Sequence, residues 1–136
     1  MVPDHDAASH SDDPILSQLD LEVMDQLLSL DDGELGLLEE MVGLYREDTP
    51  DRILAVEKTL GTGEMTEMAD VAHAIKGSAG TMGAPRVRAV AAQLEAAGRI
   101  GKTDVPTEVL LAQLKQAYTD SVVALDAFVA RKKANG

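Results

Sequence analysis

The stretch ADVAHAIKGSAGTMGA, residues 69–84, carries the strongest helical signal of the chain together with its main contradiction. Apolar residues recur at Met65, Met68, Ala72, Ile75, Ala79 and Met82, a 3-4-3-4-3 spacing that lines them along one stripe of an α-helix. The same stretch holds Gly77 and Gly80, each costing about 1 kcal/mol relative to Ala in a helix interior. It also holds His73; the other two histidines, His5 and His10, stand near the N-terminus. At 100° per residue, His73 points roughly 130° away from the centre of the stripe, toward solvent. On that face Ala69 precedes it by one turn, Lys76 and Gly77 follow by one turn, and Gly80 by two, with Asp70 to one side. Helical side chains lean toward the N-terminus, so a large residue at 77 would lean back over the imidazole. Glycine there keeps the ring open to something as bulky as another protein, and Gly80 extends the flat floor. The plainer reading is a solvated histidine beside glycines that serve helix packing, and geometry alone gives the two about equal weight.

Working outward, the flanking segments also read as helices. A short helix is predicted from Asp20, as N-cap, to about Leu30, ended by the Asp-Asp-Gly of 31–33. A second is predicted from Glu34 to Asp48, with Leu38, Met41, Val42 and Tyr45 on one face. Thr49-Pro50 then reads either as a cap with a first-turn proline or as a kink. A further helical piece carries Ile53, Leu54 and Leu60 and stops at the Gly-Thr-Gly of 61–63. The central helix is predicted over about 64–82, with Gly83 as its stop. Ala84-Pro85 opens the next helix, with Val87, Val90, Ala91 and Leu94 inward and an end near Gly98–Gly101. A long last helix follows the Thr-Asp-Val-Pro of 103–106 and runs to about Lys133. Short connections make successive helices antiparallel neighbours. The expected fold is therefore all-α: an antiparallel up-down four-helix bundle with a short extra N-terminal helix.

Bulk properties narrow the function. The 136 residues fit one domain and can bury about two-thirds of the unfolded surface. The polar, aperiodic residues 1–13 read as a disordered acidic tail, leaving 14–136 as the helical domain. There is no cysteine, hence no disulfide or thiolate metal site, and the scarcity of histidine argues against zinc. No apolar run approaches the roughly 18 residues of a membrane span, and the N-terminus lacks the apolar core of a signal peptide, so a cytoplasmic location is expected. The net charge of −12 is uneven. Residues 1–60 hold 16 acidic and 3 basic side chains, whereas residues 61–136 hold 8 and 9. The acidic half argues against nucleic acid and anionic membrane as partners. The nearly neutral half, which carries His73, can meet an acidic partner without long-range repulsion.

The string AHAIKGSAGTMGA, residues 72–84, resembles the signature of histidine-containing phosphotransfer (HPt) domains, the shuttle proteins of multistep phosphorelays. That pattern is a His followed by Lys three residues on, Gly four on and a small residue five on. Here these are His73, Lys76, Gly77 and Ser78, with Ile75 where Leu is commoner. The resemblance extends over about residues 15–130. It takes in the apolar helix LLEEMVGLYREDTP, with Tyr45 where Phe is usual, and the segment GAPRVRAVAAQLEAAGR with its Leu94-Glu95 pair.

The resemblance implies a four-helix bundle in which His73 is phosphorylated on its ring, Lys76 stabilises the phosphoryl group and Gly77 gives steric room. Gly80, Ser78 and Ala69 would complete the partner-access surface. Glu95 matches a position that in some relatives is a Gln hydrogen-bonded to the imidazole; as a carboxylate it would fix the tautomer. The implied partners are receiver domains of response regulators or of hybrid histidine kinases, with this chain acting as a monomer. No cofactor of its own is expected, the receiver bringing the Asp acceptor and Mg²⁺. Lys76 precedes Gly77 rather than following a glycine loop, so no ATP site is expected and the chain is a carrier, not an autonomous kinase. The competing reading is a helical adaptor that keeps the bundle without the chemistry.

Overall fold

A computed structural model describes residues 13–135. A 3-10 turn at Leu16–Gln18 precedes α1 (Leu21–Leu30), α2 (Gly36–Thr62), α3 (Met65–Thr81), α4 (Pro85–Ile100) and α5 (Thr107–Asn135). Among the described residues there is no strand, and no helix is long and apolar enough to cross a membrane. Helices α2–α5 form a closed four-helix bundle, and α1 packs across one end of it.

Cross-links between helices set their directions. Glu39, Arg46 and Glu57 of α2 pair with Lys133, Asp126 and Lys115 of α5, so the two run antiparallel. Along α4, Arg88, Glu95 and Gly98 lie against Gly80, His73 and Ala69 of α3 in reversed order. Two apolar clusters fill the interior. One joins Ile53, Met68, Ile75, Leu94, Leu110 and their neighbours; the other joins Met24, Leu38, Tyr45, Met82, Leu125 and Phe128 beneath α1. In the second, the buried Tyr45 hydroxyl lies 2.8 Å from Ser121 Oγ, which supplies the partner that a buried phenol needs.

The predicted stripe on α3 is the buried face: Met68, Ala72, Ile75, Ala79 and Met82 are enclosed and Met65 half-buried. Asp20 caps α1 as expected, its carboxylate accepting from the N–H groups of Glu22 and Val23. The reading of Thr49-Pro50 as a cap with a first-turn proline is corrected, for α2 runs through both. An internal proline costs about 3 kcal/mol. Here Val42 and Tyr45 before it and Ile53 and Val56 after it are buried in the bundle, which holds both halves against the core. Ile53 is buried, whereas Leu54 beside it is exposed. The 3-10 turn was not foreseen, because three residues leave no periodicity to read.

The expected tail falls outside the described residues except for Asp13. That residue belongs to the fold: its carboxylate accepts from the N–H of Ile15 at 2.9 Å and pairs with Arg131 at the far end of α5.

Gly83 ties α1 to the α3–α4 turn. Its φ of +68° lies in the left-handed region, and a Cβ there would stand 3.1 Å from Met24 Cε and 3.2 Å from the Asp20 carbonyl oxygen. Its own carbonyl accepts from the N–H of Asp20 at 2.8 Å. The turn that aligns α3 with α4 is therefore clamped from outside.

Candidate functional site

His73 stands at the midpoint of α3, with 64% of its side chain exposed. Its Nδ1 lies 2.8 Å from Glu95 Oε2 on α4. The other Glu95 oxygen, Oε1, lies 2.6 Å from Lys76 Nζ. Arg99, one turn beyond Glu95, places Nη2 3.8 Å from Oε2 and Nη1 2.9 Å from Asp70 Oδ1. Two helices thus interleave three carboxylate or imidazole acceptors with two cations: Asp70, His73 and Lys76 on α3, and Glu95 and Arg99 on α4.

The Lys76 ammonium, and then the His73 ring, hold the Glu95 carboxyl below the usual carboxylate range, against the partial burial that opposes them. Glu95 is therefore ionised near neutral pH. An ionised carboxylate only accepts, so the hydrogen between it and the ring resides on Nδ1. In the neutral imidazole this leaves the lone pair on Nε2, the nitrogen on the ring edge away from Glu95.

Close helix contact produces this geometry. At Gly98 a Cβ would stand 2.6 Å from the Met65 carbonyl oxygen and 2.7 Å from Ala69 Cβ. Only a bare α-carbon lets α4 seat this deeply on α3, and Glu95 lies one turn before it, at the level of His73. The seating also corrects the expectation for Ala69. It is fully buried beneath α4 and forms no part of an accessible surface, because the enclosed arc of α3 extends past the stripe onto the flank that α4 covers.

The remaining predicted residues divide between the two sides of α3. Gly77 is open, with nothing within 4 Å of where a Cβ would be. Gly80 is partly roofed by Arg88, whose Nε would lie 3.5 Å from a Cβ there. A trough of about 850 Å³ runs along this side, lined by Lys76, Gly77, Gly80, Arg88 and Ala92 among others. Ser78 faces the other way: its Oγ accepts from Arg52 Nη1 of α2 at 3.0 Å, in a separate groove.

Sequence reasoning missed Arg99 and Arg88 as parts of the site. Arg99 was findable, since Glu95 and Arg99 stand at i and i+4 on one helix face. Arg88 carried no such sign.

Among the described residues no group of three His, Asp or Glu converges as metal ligands would. The arrangement offers an exposed nucleophilic nitrogen on a rigid helix, held in one tautomer, with Lys76 one turn away. A family model described as Hpt domain matches residues 40–124, from early α2 into α5. A comparison with curated proteins found no match.

Proposed function

The chain belongs to the Hpt domain family, and on that premise we propose that it carries a phosphoryl group on His73, exchanging it with the aspartate of a receiver domain. Hpt domains act with receiver domains in phosphorelays. The observation that carries the residue assignment is the His73–Glu95 bond, which leaves the Nε2 lone pair of an exposed ring pointing outward.

In the forward step Nε2 attacks phosphorus in line with the receiver's acyl phosphate. The N–P bond forms as the P–O bond breaks, and the aspartate leaves as its carboxylate. Such transfers need positioning and charge neutralisation more than covalent assistance. Lys76 supplies a cation that can turn from Glu95 to the arriving phosphoryl oxygens. Gly77 leaves room for the partner's backbone, and Gly80 and Arg88 continue the contact surface. A Mg²⁺ held by the receiver would neutralise further charge on the phosphoryl oxygens. The chain works in this reading as a cytoplasmic monomer supplied by a response regulator or hybrid kinase. No observation favours an adaptor without chemistry.

The test is His73→Gln against the wild type, each incubated with a phosphorylated receiver domain. The wild type is expected to gain a label lost in acid and kept in alkali, and the variant none. A label that persists in the variant, or an acid-stable one on Ser78 or Thr81, overturns the assignment.

A further inference from the structure

Resting on the phosphocarrier reading, we propose that Glu95 keeps the Nδ1 proton on His73 in the phosphorylated state as well as the free one, so that phosphoryl groups enter and leave Nε2 with no accompanying proton transfer.

The hydrogen-bond acceptor is fixed. The Glu95 side chain is only 16% exposed, and both its oxygens are engaged, Oε1 by Lys76 at 2.6 Å and Oε2 by the ring at 2.8 Å with Arg99 at 3.8 Å. Arg99 is itself held by Asp70 at 2.9 Å. Even when Lys76 turns to the phosphoryl oxygens, Arg99 and the low exposure of the side chain keep Oε2 at the ring.

Phosphorylation occupies Nε2, which leaves Nδ1 as the one ring nitrogen that can gain or lose a proton. A ring without that proton would turn a lone pair toward an acceptor that has no hydrogen to give. It would also leave a shielded carboxylate oxygen without its donor. The charged groups facing the ring are Asp70 and Lys76 on α3 and Glu95 and Arg99 on α4, two of each sign. Their formal charges balance, so the direct bond between Glu95 and Nδ1 decides the proton's position. The phosphoryl group, anionic on the opposite ring edge, favours the same outcome.

The consequence follows from the electron count. When phosphorus is passed on, the N–P electron pair returns to Nε2. With Nδ1 protonated, the ring departs as a neutral imidazole. Without that proton it would have to depart as imidazolate, a much poorer leaving group. Glu95 thus acts as a positioning residue that keeps phospho-His73 ready to donate.

The experiment uses the full chain with ¹⁵N-labelled histidine, phosphorylated by phosphoramidate, whose own N–P bond breaks as ammonia leaves. At about pH 8, where an ordinary imidazole is mostly unprotonated, the Nδ1 resonance of wild-type phospho-His73 is expected at the protonated position. In Glu95→Gln the neutral amide can accept from Nδ1 or donate to it, so the proton is no longer enforced and the resonance should move toward the unprotonated position. The phosphoryl group should then survive roughly tenfold longer than in the wild type at this pH, with the two lifetimes converging near pH 5, where an ordinary imidazole carries its proton without help. An unprotonated Nδ1 in wild-type phospho-His73, or equal lifetimes of the two proteins at about pH 8, overturns the proposal. The wild-type spectrum is decisive even if the variant folds poorly. Label placed on His73 but with Nδ1 bare would sink the role of Glu95 alone. Failure of phosphoramidate to label His73 would remove the carrier reading along with it.

Discussion

Replacing Gly98 by Ala adds one methyl group at the place where α4 rests on α3. That methyl would stand 2.6 Å from the Met65 carbonyl oxygen, 2.7 Å from Ala69 Cβ and 3.2 Å from Ala69 N, where ordinary contact begins near 3.4 Å. Two of these neighbours are backbone atoms of α3 and cannot rotate away, so the helices must part by several tenths of an ångström. Overpacking typically costs about 1–3 kcal/mol, and contacts below 3 Å put this one at about 2–3 kcal/mol, set against about 1 kcal/mol gained in helix propensity. The expected net loss is about 1–2 kcal/mol, or a melting temperature lower by about 4–8 °C for a domain of this size. Gly77→Ala is the internal control: it gains the same propensity at an open position and should melt slightly higher than the wild type. The displacement also reaches the chemistry, since Glu95 lies one turn from Gly98 and its 2.8 Å bond to His73 must lengthen. Thermal melts of the three proteins by circular dichroism, with phosphoramidate labelling rates alongside, measure both effects. A Gly98→Ala protein as stable as the wild type would refute the claim that this close approach is rigid.

Gly77→Leu should fold at least as well as the wild type yet lose most transfer from a phosphorylated receiver, because its side chain leans over His73; phosphoramidate, being small, should be slowed far less. Unfolding of this variant, or equal slowing by both donors, would reject the access argument. Arg88→Glu, at the trough wall beside Gly80, should weaken exchange with a receiver by about tenfold, or 1.4 kcal/mol, and leave phosphoramidate labelling unchanged; equal effects on both would remove Arg88 from the docking surface. In acid, the depressed Glu95 carboxyl contributes stability that is fully present above the ordinary carboxylate pKa and is lost as pH falls through its lower folded value. Glu95→Gln should accordingly lose less melting temperature than the wild type between about pH 5 and about pH 3, and parallel losses would show that the ion pairs of Glu95 add nothing.

The bundle was legible where residues repeat with a helical period. The stripe from Met65 to Met82 gave both the helix and its buried face, and Asp20 and Pro85 marked starts that the structure keeps. The helix-start reading of Pro50 failed because the local penalty of the proline was outweighed by burial on both sides of it, a tertiary effect with no local mark. The site was legible in its α3 half, where His73, Lys76 and Gly77 lie within one turn of each other. The α4 half depended on depth of packing. Gly98 looks in sequence like a helix end, and only the interhelical distance reveals it as the contact that buries Ala69 and brings Glu95 up to the ring. Ala69 was placed on the open face because a wheel gives angles without saying which neighbouring helix occupies them.

Every group that touches or supports the imidazole belongs to a single helical hairpin, α3 and α4, joined by a turn of three residues. Glu95 is 22 residues from His73, whereas Tyr45 and Ser121, which lock α2 to α5, are 76 apart. Closing the longer loop costs about 1 kcal/mol more in chain entropy. The hairpin that carries His73 is thus positioned to assemble ahead of the bundle that surrounds it. The same economy bears on how such a chain can diversify: the outward residues of α2 and α5 can change freely, while the α3–α4 hairpin, which carries both His73 and the trough beside it, is inherited as one piece.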